Sequence, residues 1–123
     1  MLKRRLVIAL ALFLGLAGCA QVKRAERSPE TDALLTAARG GHADAVKSIL
    51  AGGRADVNGR DERGDTPLIA AARAGHDDVV QALLMARADP NAKNNDGQTA
   101  LSLAAQGGHD EVIRLLKQSG ASQ

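Results

Sequence analysis

The chain has 123 residues, enough for one domain, and carries 16 Lys and Arg against 14 Asp and Glu, a formal net charge of +2. Lys3, Arg4 and Arg5 lie in an N-terminal stretch that reads as removable, and setting them aside leaves 13 basic residues against 14 acidic, so the simplest electrostatic case for nucleic-acid binding disappears. Phe13 is the one aromatic residue and Cys19 the one cysteine, which excludes base stacking on rings in the mature chain, an internal disulfide framework and a multi-cysteine metal site.

The chain opens with a basic segment, Met1 to Arg5, followed by an apolar run from Leu6 to Leu16 and then Ala17-Gly18-Cys19. Basic, apolar, then small is the layout of a secretory signal peptide, and the apolar run is too short to span a bilayer comfortably. Leu16-Ala17-Gly18-Cys19 resembles the lipobox of bacterial lipoproteins. The resemblance implies cleavage before Cys19, diacylation of its sulfur and acylation of the new amino group; two or three acyl chains anchor stably where one does not. Ala20 stands where an Asp would signal inner-membrane retention, so the family rule favours the outer membrane, facing the periplasm. The competing reading is an ordinary signal peptide with an incidental cysteine, or an uncleaved anchor. Residues 19–30 carry charge and Pro29 without a helical apolar face and read as a flexible tether. Lys23, Arg24 and Arg27 in it could touch anionic headgroups or simply keep it solvated.

From residue 31 the chain repeats itself. Gly64-Asp65-Thr66-Pro67-Leu68 is echoed 33 residues later by Gly97-Gln98-Thr99-Ala100-Leu101, and Ala71-Ala72-Arg73-Ala74-Gly75-His76 by Ala104-Ala105-Gln106-Gly107-Gly108-His109. An incomplete earlier copy holds Ala37-Ala38-Arg39-Gly40-Gly41-His42, and Arg54 is its one extra residue. The units fall at about 31–60, 61–93 and 94–123. In the middle unit Asp61 to Gly64 is turn-like, Thr66 is a good N-cap and Pro67 suits the first helical position. Leu68, Ala71 and Ala72 make an apolar stripe that Gly75 ends. A second helix follows, with Asp77 and Asp78 at its positive end and Val79, Val80, Leu83 and Leu84 on one face. In the first unit Thr31 or Asp32 is expected to cap the helix.

This pattern resembles the ankyrin repeat, over roughly Asp32 to Gln123. The resemblance implies an all-α solenoid of about three helix-turn-helix repeats, with loop fingers projecting from the stack. Ile69 and Ser102 stand where the family has a loop-bracing His, Ala100 replaces Pro, and Arg87 replaces the usual Gly after the second helix. Lys117, at the register of Leu84, reads as a C-terminal capping charge.

His42, His76 and His109 are in register, but successive repeats sit about 8–10 Å apart, too far for three imidazoles to share one metal. Bracing of the turn between the two helices of a repeat is the expected role. Asp77-Asp78 and Asp110-Glu111 answer the helix dipole better than they make a catalytic pair. No serine sits in a nucleophile elbow and no glycine-rich phosphate loop occurs. The expectation is therefore no enzyme, no cofactor, no metal, no nucleic acid and no small-molecule substrate.

What remains is surface. By resemblance, the variable finger positions fall on Arg60, Glu62, Arg63 and Asp65 and on Lys93, Asn95, Asp96 and Gln98, with Arg73 and Gln106 lining the adjoining groove. Without aromatics, Arg is the anchor type available, so Arg60, Arg63 and Arg73 are the leading candidates and Lys93 the next. The expected partner is a protein with an acidic or aromatic patch. The functional expectation is a lipid-anchored, non-catalytic adaptor in the bacterial envelope. The alternative is an inhibitor or immunity protein against an envelope-targeted toxin.

Overall fold

The computed structural model describes residues 27–121. The lipobox, Cys19 and the tether up to residue 26 lie outside the described residues. Six helices follow in three pairs: α1 (Pro29–Gly40) with α2 (Ala43–Ala51), α3 (Pro67–Ala74) with α4 (Asp77–Met85), and α5 (Ala100–Gly107) with α6 (Asp110–Gln118). The first helices α1, α3 and α5 pack side by side in one row, the second helices α2, α4 and α6 in another, and each second helix packs on its own first. The all-α repeat stack expected from the 33-residue period is the fold observed; among the described residues the extended pairing is limited to an isolated bridge between Lys93 and Thr99.

The core explains why the repeat is so regular. Leu34, Leu68, Leu83 and Leu116 are buried with Val46, Val79, Val80 and Val112, one set from each layer of the stack. Each such side chain contributes about 1.5–3 kcal/mol when shielded. Ala38, Ala71, Ala72 and Ala104 are completely buried between the first-row helices, where a side chain of one carbon lets helix backbones approach closely. An aromatic-free core is thus a consequence of close helix spacing.

Caps set the helix ends. Thr66 Oγ1 accepts from the Ile69 amide at 3.2 Å, and Pro67 follows at the first helical position. Thr99 and Ser102 form a reciprocal capping box, the hydroxyl of each accepting from the other's amide at 3.0–3.1 Å. Ser102 therefore serves the cap, while Ile69, at the same register, is buried in the core. The first repeat departs from expectation: α1 starts at Pro29, and Ser28, not Thr31 or Asp32, caps it, accepting from the Thr31 amide at 3.1 Å. Ser28-Pro29 is an N-cap and first-position pair that resembles linker sequence when read alone. Thr31, freed from capping, accepts from the Asp56 amide at 2.9 Å and ties α1 to the first loop.

The histidines brace a different junction from the one expected. His76 Nε2 lies 3.2 Å from the Arg39 carbonyl, and His109 Nε2 lies 3.2 Å from the Arg73 carbonyl. A carbonyl only accepts, so Nε2 carries the proton and each ring clamps its repeat to the preceding one. The clamp dictates the residue it lands on. Gly75 ends α3 with a φ of 78°, and a Cβ there would lie 2.5 Å from the His109 ring. Glycine is needed both for the left-handed turn and for the close approach.

Candidate interaction surface

Two loops, residues 52–65 and 86–98, connect the repeats, and their outer parts, 60–65 and 93–98, form the fingers; the ion pairs of the first finger with α1 and α3, and the bonds that tie the second finger to the first, place them on the first-row side of the stack. The tip of the first is built by Asp61. Its Oδ1 accepts from the amides of Arg63 and Asp65, both at 2.9 Å, and its own amide donates to the Asp65 carbonyl at 3.0 Å. Asn94 repeats this in the second finger, its Oδ1 accepting from Asp96 and Gln98 at 3.0 and 2.9 Å. An Asx side chain that folds its own following residues is a turn device.

Long cations then join finger to finger. Arg27 Nη1 donates to the Arg60 carbonyl at 2.8 Å, and Arg60, 33 residues on, donates to the carbonyl of Lys93, a further 33 residues on. Arg60 also reaches the Gly64 carbonyl at 3.3 Å. Asn95 adds a second tie, donating from its backbone to the Arg63 carbonyl and from its side chain to the Glu62 carbonyl at 3.0 and 3.1 Å. Ion pairs fix the fingers to the helices. Arg39 at the end of α1 meets Asp61 at 3.0 Å, and Arg73 at the end of α3 grips Asp65 with two nitrogens at 2.6 and 3.2 Å.

This sorts the candidates. Asp65, expected at the surface, is 2 % exposed. Burial pushes its carboxyl up, but the bonds from Arg73 and from Asn94 at 3.0 Å outweigh that and hold it below the usual carboxylate range. Arg73 is correspondingly raised, chiefly by its bond to Asp65. Arg60 and Arg73, expected as free anchors, are therefore fastened within the scaffold, although both retain solvent-exposed surface. Gln98 is half-buried, its Oε1 accepting from Asn94 at 3.1 Å. Glu62 is exposed and paired with Arg27 at 3.1 Å. Arg63, Lys93, Asp96 and Gln106 are exposed. Arg63 and Lys93 are the finger cations whose side chains have no hydrogen-bond or ion-pair partner among the described residues.

A hollow of about 320 Å³ opens beside Arg63, lined also by Arg39, Asp61, Glu62 and Asp65. Arg39 and Asp61 pair within it, Glu62 and Asp65 are held from outside by Arg27 and Arg73, and among the described residues no three His, Cys, Asp or Glu side chains come together as a metal would need. Asp61, Asn94, Arg39 and Arg27 build the surface and were not among the expected site residues. The signal was present for two of them: Asp61 and Asn94 each precede a glycine by three residues, the spacing of a tight turn.

Comparison with known proteins agrees with this geometry. The model of the ankyrin repeats matches over residues 7–94 and 34–123, in three copies. No curated protein matches the chain. With helix pairs, glycine caps and fingers recurring in the register those matches require, the chain belongs to the ankyrin-repeat family, whose repeats generally mediate protein–protein interaction.

Proposed function

We propose that this chain is a non-catalytic adaptor, lipid-anchored through Cys19 in a bacterial envelope and facing the periplasm, that holds an envelope protein on its finger row. The observation that carries the reading is the pair Arg63 and Lys93. They stand exposed on consecutive fingers, their side chains with no hydrogen-bond or ion-pair partner among the described residues, while the neighbouring cations are engaged by Asp61, Asp65 or backbone carbonyls. A rigid row presenting unpaired cations suits a partner with an acidic patch, which would add charge-assisted bonds without breaking internal ones. Arg63 can also stack on an aromatic ring. The lipobox Leu16-Ala17-Gly18-Cys19 supports the anchor, and anchoring raises the local concentration of the module beside envelope partners.

The test is affinity capture from detergent-solubilised envelopes with the full chain and with Arg63→Glu/Lys93→Glu. Loss of one stoichiometric partner, with the helical circular dichroism unchanged, is the expected result. Retained capture moves the interface off the fingers. Fatty-acid labelling of the chain beside Cys19→Ala tests the anchor separately: label should appear on the first alone, and an unlabelled wild type removes the anchor.

A further inference from the structure

The second row of helices is electrically polarised. Its acids, Asp44, Asp77, Asp78, Asp110 and Glu111, all sit in first turns. Residues 45–55, 79–88 and 112–121, which are the later turns and the first residues after them, contain Lys47, Arg54, Arg87, Arg114 and Lys117 and no acid, the next acids being Asp56 and Asp89 further along the loops. Arg114 pairs with Glu111, and Arg54 lies 3.9 Å from Glu30. Lys47, Arg87 and Lys117 have no partner among the described residues. The helix dipole favours cations at these ends, but it does not account for two further features.

The first is Met85, the last residue of α4, which is 79 % exposed and is the exposed large hydrophobic among the described residues. It stands between two shallow notches, one of about 360 Å³ shared with Lys47, Leu50, Ala51 and Ala82, the other of about 210 Å³ shared with Leu84 and Leu115. The second is Arg87, the one non-glycine residue with positive φ among those described, at 66°. Gly53 and Gly120, which follow α2 and α6 in the same way, adopt φ of 70° and 89°. Glycine occupies that conformation without strain, so the arginine persists at a conformational cost and sets a cation two residues from the exposed methionine.

We propose that this edge of the stack rests on an anionic phospholipid surface, with Met85 entering the headgroup boundary and Lys47, Arg87 and Lys117 meeting lipid phosphates. One thioether standing clear of shallow notches, with Lys47 on one of them and Arg87 two residues on, both on long flexible stems, suits a deformable surface better than a shape-matched protein. The contact lies on the row opposite the fingers, so it leaves them open. It needs neither the finger reading nor the lipid on Cys19.

The chain contains no Trp, so Met85→Trp introduces a single fluorophore at the edge, and Gln106→Trp introduces one at the register of Arg73 on the finger side. Each full-length variant is mixed with vesicles of brominated phosphatidylcholine, alone or in equal mixture with phosphatidylglycerol. The reporter at position 85 should be quenched in the anionic vesicles and the one at 106 should not. Replacing Lys47, Arg87 and Lys117 by Glu should weaken the quenching at least about tenfold, and raised salt should act in the same direction. Should that triple variant lose its helical signal, the salt dependence of the Met85→Trp chain carries the test. Equal quenching at both positions, equal quenching in neutral vesicles, or a blue shift at position 85 without quenching (cover by a second copy or another protein) would each overturn the proposal.

Discussion

Asp61, Asp65 and Arg73 occupy in the first finger the register that Asn94, Gln98 and Gln106 occupy in the second. The backbone bonds are the same: Asp61 and Asn94 each donate to the carbonyl four residues on at 3.0 Å and accept the amide of the glycine three residues on at 3.0 Å. An amide oxygen and a carboxylate oxygen therefore fold the tip equally well. The charges of the first finger do something else, which is to anchor it to α1 and α3 through Arg39 and Arg73. Among the described residues the second finger makes no such ion pairs and is held by Asn94, Asn95 and the guanidinium of Arg60. Finger shape is thus set by acceptors in the turn, and finger attachment by whichever cation the adjoining helix supplies.

That contrast can be pressed hardest at the equivalent pair Asp65 and Gln98. Asp65→Leu leaves Arg73 and Asn94 without their acceptor and should cost about 2–3 kcal/mol, while Gln98→Leu should cost less than about 1 kcal/mol, read from urea midpoints at constant slope. The equivalent glycines sharpen the comparison between repeats. Gly75→Ala meets the His109 ring as well as a left-handed φ and should cost about 2–3 kcal/mol, whereas Gly108→Ala, with no atom within 4 Å, meets the backbone strain alone and should cost about 1 kcal/mol. Equal costs at Gly75 and Gly108 would mean that the histidine clamp does not form in solution.

The smallest effect is in acid. The carboxyl of Asp65 is held below its unfolded value of about 3.9, so its contribution is fully present above that value and is lost as pH falls through the lower, folded one. Thermal melts below about pH 4 should therefore show a steeper loss in the wild type than in Asp65→Asn, which has no carboxyl to protonate. The second finger, with Gln98 at that register, contributes nothing to the difference.

The stack was legible because equivalent positions in each repeat face the same neighbours. Leu68 and Leu101, or Val79 and Val112, are buried alike, so a 33-residue period in the sequence is a period in the core. The surface was less legible for a physical reason. Whether Arg73 is free depends on Asp65, eight residues earlier, and whether Arg60 is free depends on a backbone carbonyl in the next repeat, which no side-chain pattern announces. Variable finger positions are usually exposed, but Arg73 and Asn94 make burial of Asp65 tolerable. The acceptors of His76 and His109 lie one repeat away, beyond what the local turn suggests.

In the proposed function the finger row is the face that meets a protein partner, with Arg63 and Lys93 as its cations without a side-chain partner among the described residues. A photo-crosslinking residue placed singly at position 63, 93 or 114 in the envelope-resident chain tests this most directly. The expected result is one common protein adduct from 63 and 93 and its absence from 114, on the opposite row. An identical adduct from position 114, or one from 114 alone, would contradict the account.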